Sequence, residues 1–93
     1  MPYIKPKDRE KWASIIESCN AVDSCLLVGD LNYLITKIVD KYIQQQEDIH
    51  KGEHYQIYNS AIGALECAKL ELYRRLIAPY EDIKIKQNGD VYD

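Results

Sequence analysis

One segment, Tyr55 to Ile77, constrains the fold more than any other part of the 93-residue chain. It contains no proline and a single glycine, Gly63. Apolar residues at Tyr58, Ala61, Ile62, Leu65, Leu72 and Leu76 follow the three-and-four spacing of a helix. At 1.5 Å per residue that helix is about 34 Å long. A compact chain of this size has a radius of gyration near ~12 Å, so it is about 30 Å across. One helix therefore spans the whole molecule. A second stripe, Asn59, Gly63, Glu66, Leu70 and Tyr73, runs along the same segment, and Gly63 lets another backbone come close. One stripe suits the chain's own core. The other predicts a partner helix, and with it a homo-oligomer.

The rest of the chain predicts two further main helices and a short fourth, an all-α bundle in one domain, 1–93. Pro6 suits a first helical position, with Asp8 and Glu10 in the turn where the helix dipole favours negative charge. Trp12, Ile15, Ile16 and Cys19 share a face, so helix 1 is expected over about 6–20. Leu31, Leu34, Ile35, Ile38, Val39 and Tyr42 define helix 2, over about 30–45, with Asn32, Tyr33, Lys37, Asp40 and Lys41 opposite. Between them, Gly29-Asp30 reads as a break, with Asp30 as the N-cap. A start near Ser24 that carries Gly29 inside the helix, at about 1 kcal/mol, is the alternative. The polar stretch Gln44 to His54, with Gly52, reads as the connection to helix 3, over about 55–77. Pro79 is expected to interrupt helix 3, because it lacks an amide hydrogen and its ring meets the preceding turn. A short helix over about 79–87 then ends at Asn88-Gly89 with a left-handed cap. Val91 and Tyr92 are expected to tuck against the core or fray.

Composition narrows the function classes. A net charge of −3 argues against a nucleic-acid partner, since DNA-binding domains of this size carry a basic excess. Eight tyrosines and no phenylalanine point to rings placed where core meets solvent or where subunits meet. Three cysteines and a start that runs straight into charged residues predict a cytoplasmic protein, with the thiols as small core residues. No apolar run approaches the ~18 residues that cross a bilayer, so no membrane partner is expected. P-loop, dinucleotide and nucleophile-elbow motifs are all missing, which predicts a non-enzymatic protein without cofactor. His50 and His54 lie four apart, but Gly52 separates them and zinc asks for three or four protein ligands, so no metal site is expected.

Three stretches carry a family resemblance: Met1-Pro2-Tyr3-Ile4-Lys5-Pro6, Leu31 to Thr36 (LNYLIT), and Ala64 to Tyr92 (ALECAKLELYRRLIAPYEDIKIKQNGDVY). They resemble a family of short uncharacterised helical proteins found mainly in bacteriophages and bacteria. The likeness covers most of the chain, is strongest over its last third, and skips Gln44 to His54. It implies a compact helical fold and a phage setting, and it transfers no catalytic residue.

Two groups of residues stand out as binding candidates. Tyr73, Arg74 and Arg75 follow Lys69 by one turn, joining guanidinium groups that grip phosphate to a ring on which a base stacks. Ordinary helix chemistry competes with that reading: cations are favoured near a helix C-terminus, and Glu71 lies four residues before Arg75. Asn32, Tyr33 and Thr36 form a polar line at the start of helix 2, where free amides hold anions or are simply capped. In a phage setting these groups suggest a small binding protein that sequesters a nucleotide-type immune signal between subunits of a homo-oligomer, in the host cytoplasm. The alternative is a protein-interaction module that inhibits or adapts a host or phage protein through its exposed tyrosines. Both are analogies of context.

Overall fold

The computed structural model describes residues 1–20 and 26–92. These residues are helical with short connections. An N-terminal helical stretch comprises α1 (Pro6–Arg9), a 3-10 turn (Glu10–Trp12) and α2 (Ala13–Ser18). Two long helices follow, α3 (Val28–Ile49) and α4 (His54–Leu72). A π-helical turn (Tyr73–Ile77) then leads directly into α5 (Ala78–Asn88). The all-α expectation holds, with several boundaries displaced. The chain divides into two compact units, Pro2–Ala61 and Ile62–Asp93 with Met1, the division falling inside α4.

In the first unit, Lys5 is extended, as a residue before proline must be, and Pro6 opens the helix as expected. Arg9 Nε donates to the Ile4 carbonyl at 2.7 Å and ties the N-terminal arm to α1. Helix 1 is not the single rod expected over 6–20. Trp12 takes up φ −100°, ψ −2°, which separates the 3-10 turn from α2, and the helix closes at Ser18. Ser18 Oγ turns back onto the Ser14 carbonyl at 2.8 Å, a bond that serines use in place of solvent.

Helix α3 begins at Val28 and so takes Gly29 into its first turn, against the expected break. Asp30 is not the N-cap: it sits at the third helical position, and its carboxylate accepts the Leu27 amide at 2.9 Å. That is the reciprocal half of a capping box, which satisfies an amide the helix leaves free. The alternative start near Ser24 lies outside the described residues. The far end also differs, for α3 continues through Gln44, Gln45 and Gln46 to Ile49. Glutamine and glutamate are good helix formers, so a polar run without glycine or proline extends a helix as a solvated end. Gln44 Nε2 bonds Asp40 Oδ2 one turn back at 2.8 Å. The connection is only His50 to Glu53. His50 closes α3 through its amide on the Gln46 carbonyl at 2.7 Å, and Gly52 turns the chain at φ +88°.

Among the described residues only Ile57 and Ala61 are buried, one turn apart at the start of α4. A coherent face of α3 is half-buried in the same unit: Val39, Asp40, Ile43, Gln46 and Glu47. Glu47 joins the two helices, accepting from the Tyr58 hydroxyl at 3.3 Å and lying 3.3 Å from His54 Nδ1. Of the expected core stripe, only Ala61 is buried, while Tyr58, Ile62, Leu65, Leu72 and Leu76 are exposed.

In the second unit, Pro79 does not end the helix. The π turn precedes it, with the Ala78 amide bonded to the Tyr73 carbonyl five residues back, and α5 carries Pro79 in its first turn. A wider turn holding one more residue is a known way for a helix to absorb a misfit. Helix α5 ends at the expected place, Gly89 donating its amide to the Ile85 carbonyl at 2.8 Å, but at φ +88°, ψ 152° the glycine is extended with a positive φ and not in the expected left-handed helical cap. Val91 and Tyr92 are exposed, so the expected tuck against the core is not made. No helix among the described residues is long and apolar enough to cross a membrane.

Candidate interaction surface

The candidate phosphate-binding residues gather at the end of α4 and in the π turn. Each of three has an acidic or carboxylate neighbour. Lys69 Nζ lies 3.2 Å from Glu66, Arg74 Nη2 lies 3.1 Å from Glu71, and the Tyr73 hydroxyl donates to Glu81 at 3.0 Å. The first two pairs are three residues apart on an exposed helix, where such pairs add about 0–1 kcal/mol. The hydrogen bond to Glu81, followed by that carboxylate's charge, holds the Tyr73 phenol above its ordinary pKa. Arg75 makes no ion pair or hydrogen bond among the described residues. The structure thus gives the cluster mainly to local helix pairing and leaves one guanidinium free.

Asn32, Tyr33 and Thr36 belong to the other unit, at the start of α3. Thr36 Oγ1 bonds the Asn32 carbonyl at 2.8 Å and Asn32 Oδ1 at 3.2 Å, so the two side chains satisfy each other on one face. Tyr33 takes no part in this pair and is 64 % exposed. It borders an open groove of about 680 Å³ between α2 and the first half of α3. Ile15, Ile16, Cys19, Leu26, Leu31, Ile35 and Ile38 line that groove, and Asp30 and Ser18 supply its few polar atoms. Sequence reasoning treated these apolar residues as core. Their spacing along each helix was the available signal, but spacing alone does not say whether a stripe meets the chain's own helix or another molecule.

The expected interface stripe on α4 is open to solvent, Asn59, Gly63, Glu66, Leu70 and Tyr73 all being exposed. A side-chain carbon added at Gly63 meets nothing within 4 Å. All eight tyrosines are exposed, which agrees with the boundary role read from composition. Cys19 and Cys67 are exposed rather than packed in a core, and Cys25 lies outside the described residues. A helix with so little to bury leaves its small residues at the surface. The two histidines pair with carboxylates near the α3–α4 turn, His50 at 3.9 Å from Glu53 and His54 at 3.3 Å from Glu47. The charge of Glu47, then its hydrogen bond, holds the Tyr58 phenol above its ordinary pKa.

Large apolar side chains, mostly isoleucine, leucine and tyrosine, are exposed along α2, α3, α4 and α5.

Residues 1–91 match the family model described as Domain of unknown function (DUF6899). The chain belongs to this family. The match covers the first two stretches that carried the resemblance and the third as far as Val91. No curated protein and no solved structure matches the chain.

Proposed function

We propose that this DUF6899 member is a non-enzymatic binding protein that works as a homo-oligomer and engages a protein partner through the outer faces of its helices. The observation that carries the reading is the placement of apolar side chains. Ile57 and Ala61 are buried, while Tyr33, Ile38, Leu65, Leu70, Tyr73 and Tyr80 all face water. Monomers rarely expose contiguous apolar patches beyond a few hundred Å², and larger ones mark contact sites. Tyrosine supplies contact area with little entropy to lose, which suits such a surface. The resemblance to phage proteins makes a host or phage protein the partner class and the host cytoplasm the compartment. Mass spectrometry of the protein purified from cells tests the reading. One protein held at a fixed ratio, and released by Tyr33→Ala, supports it. A preparation that carries only copies of itself at every salt concentration removes the partner.

A second reading keeps the ligand small: a nucleotide-type immune signal held by the oligomer. Arg75 favours it, being exposed and without an ion pair or hydrogen bond among the described residues. A free guanidinium grips phosphate. Isothermal titration against cyclic nucleotides and ADP-ribose signals tests it. Heat that disappears in Arg75→Ala supports it, and no heat across the panel eliminates it.

A further inference from the structure

The groove between α2 and the first half of α3 has apolar walls and a rim with one charge. Both helices belong to the Pro2–Ala61 unit. Ile15, Ile16, Leu31, Ile35 and Ile38 form the walls and are between 41 % and 65 % exposed. The volume, about 680 Å³, falls in the range of small-molecule sites, about 300–1,000 Å³. A stable protein interface draws about 20–30 residues a side, whereas eleven described residues line this groove. Its polar groups are few and mostly spent. Ser18 Oγ donates to the Ser14 carbonyl at 2.8 Å, and Cys19 Sγ to the Ile15 carbonyl at 3.5 Å. Asp30 is the one charged residue among those lining residues. Its Oδ2 accepts the Leu27 amide at 2.9 Å, and its Oδ1 has no hydrogen bond among the described residues. Tyr33 follows Asp30 by one turn, on the same side of α3.

We propose that this groove binds a small cationic amphiphile, an alkylamine-type molecule, with its ammonium head at Asp30 and Tyr33 and its hydrocarbon along Ile35 and Ile38. The proposal goes beyond the partner and nucleotide readings above and rests on neither. Charge decides the class of head group. An ammonium donates to the open carboxylate oxygen of Asp30, and the face of the Tyr33 ring attracts the same cation. The start of α3 carries about half a positive charge, less than the full negative charge of Asp30, so this end of the groove is net negative. A carboxylate or phosphate head would meet that charge with only the Tyr33 hydroxyl left to donate. Length and chemistry decide the tail. Asp30 and Ile38 are eight residues apart, about 12 Å along the helix, and the walls between them are apolar. Each methylene buried there strengthens binding by about fourfold. The tail therefore supplies affinity, and the head supplies selection.

Isothermal titration of the full chain with three ligands of one chain length tests this: decylammonium, decanol and decanoate, each kept below its micelle concentration. Decylammonium is expected to bind tightest, and decanoate about tenfold or more weakly. Asp30→Asn keeps an acceptor for the Leu27 amide, so the start of α3 should stand, as circular dichroism checks. It is expected to weaken decylammonium by about fivefold and leave decanol unchanged. Asp48→Asn removes the same charge elsewhere on α3 and is expected to change neither. Decanoate bound by the parent chain as tightly as decylammonium overturns the proposal, and that comparison needs no variant. An equal loss in Asp30→Asn and Asp48→Asn also overturns it, because the attraction would then belong to overall charge. No heat from any of the three overturns it as well and leaves the groove to a macromolecule.

Discussion

Replacing Pro79 by alanine measures what the π turn does. Pro79 lies in the first turn of α5, with helical backbone on both sides. In an uninterrupted α-helix a proline costs about 3 kcal/mol or more, through a lost hydrogen bond and collision with the carbonyl four residues back. That carbonyl belongs to Arg75, which lies inside the Tyr73–Ile77 π turn. The turn is wound wider, the Ala78 amide reaching Tyr73 five residues back, and a turn with one more residue is expected to take the Arg75 carbonyl out of the ring's path. The collision then drops out, leaving the missing donor, worth about 0.5–1.5 kcal/mol. Against it stands about 0.4–1 kcal/mol by which proline restricts the unfolded chain. Pro79→Ala is therefore expected to change stability by less than about 1 kcal/mol, in either direction. On a domain of this size that is at most about 4–8 °C in the thermal midpoint. Urea unfolding followed by far-UV circular dichroism, at one protein concentration, is the assay. A gain of about 3 kcal/mol would refute the reasoning, because it would mean that the ring still meets its helix.

Three other perturbations follow from the same geometry. Ile57→Ala removes the most buried side chain among the described residues and should cost about 2–3 kcal/mol, the lower part of the usual range because its core is small, as seen by chemical unfolding. Gly63→Ala should raise the unfolding free energy by up to about 1 kcal/mol, since alanine is the better helix former and the new carbon meets nothing. A loss of association in that variant would instead move a partner's backbone to Gly63. Tyr58 and Tyr73 ionise above the ordinary value of 10.0 because each bonds a carboxylate. Their hydrogen bonds to Glu47 and Glu81 thus support the fold below that pH and fail as pH rises through the raised folded values. Ultraviolet titration of the phenols should show a late-ionising fraction that Tyr58→Phe and Tyr73→Phe each reduce.

The fold class was legible in the sequence because helical spacing is dense in this chain, and Pro6 and Gly89 mark their helix ends by backbone chemistry alone. The misplaced boundaries have a common cause. Gln44, Gln45 and Gln46 are polar, as a loop is, yet nothing in them opposes a helix. Gly29 suits a helix stop, but in a first turn its cost is small, and Asp30 offsets it by holding the Leu27 amide. Pro79 was read by its local rule, whereas the backbone five residues earlier accommodates it. The site was less legible. Spacing showed that Ile35 and Ile38 lie on an apolar face, and only the structure shows that the chain leaves that face open. For Arg74 and Lys69 the sequence held both possibilities, and the distances to Glu71 and Glu66 favour local pairing.

The central claim is that one copy of this chain cannot cover its own apolar faces and is completed by another. Sedimentation equilibrium combined with circular dichroism, on samples diluted from tens of micromolar to well below one, tests it most directly. The account predicts a dimer or larger assembly at the upper end, with helical signal falling as the assembly dissociates. A chain that stays monomeric across the whole series, with full helicity and a cooperative unfolding transition, would contradict it.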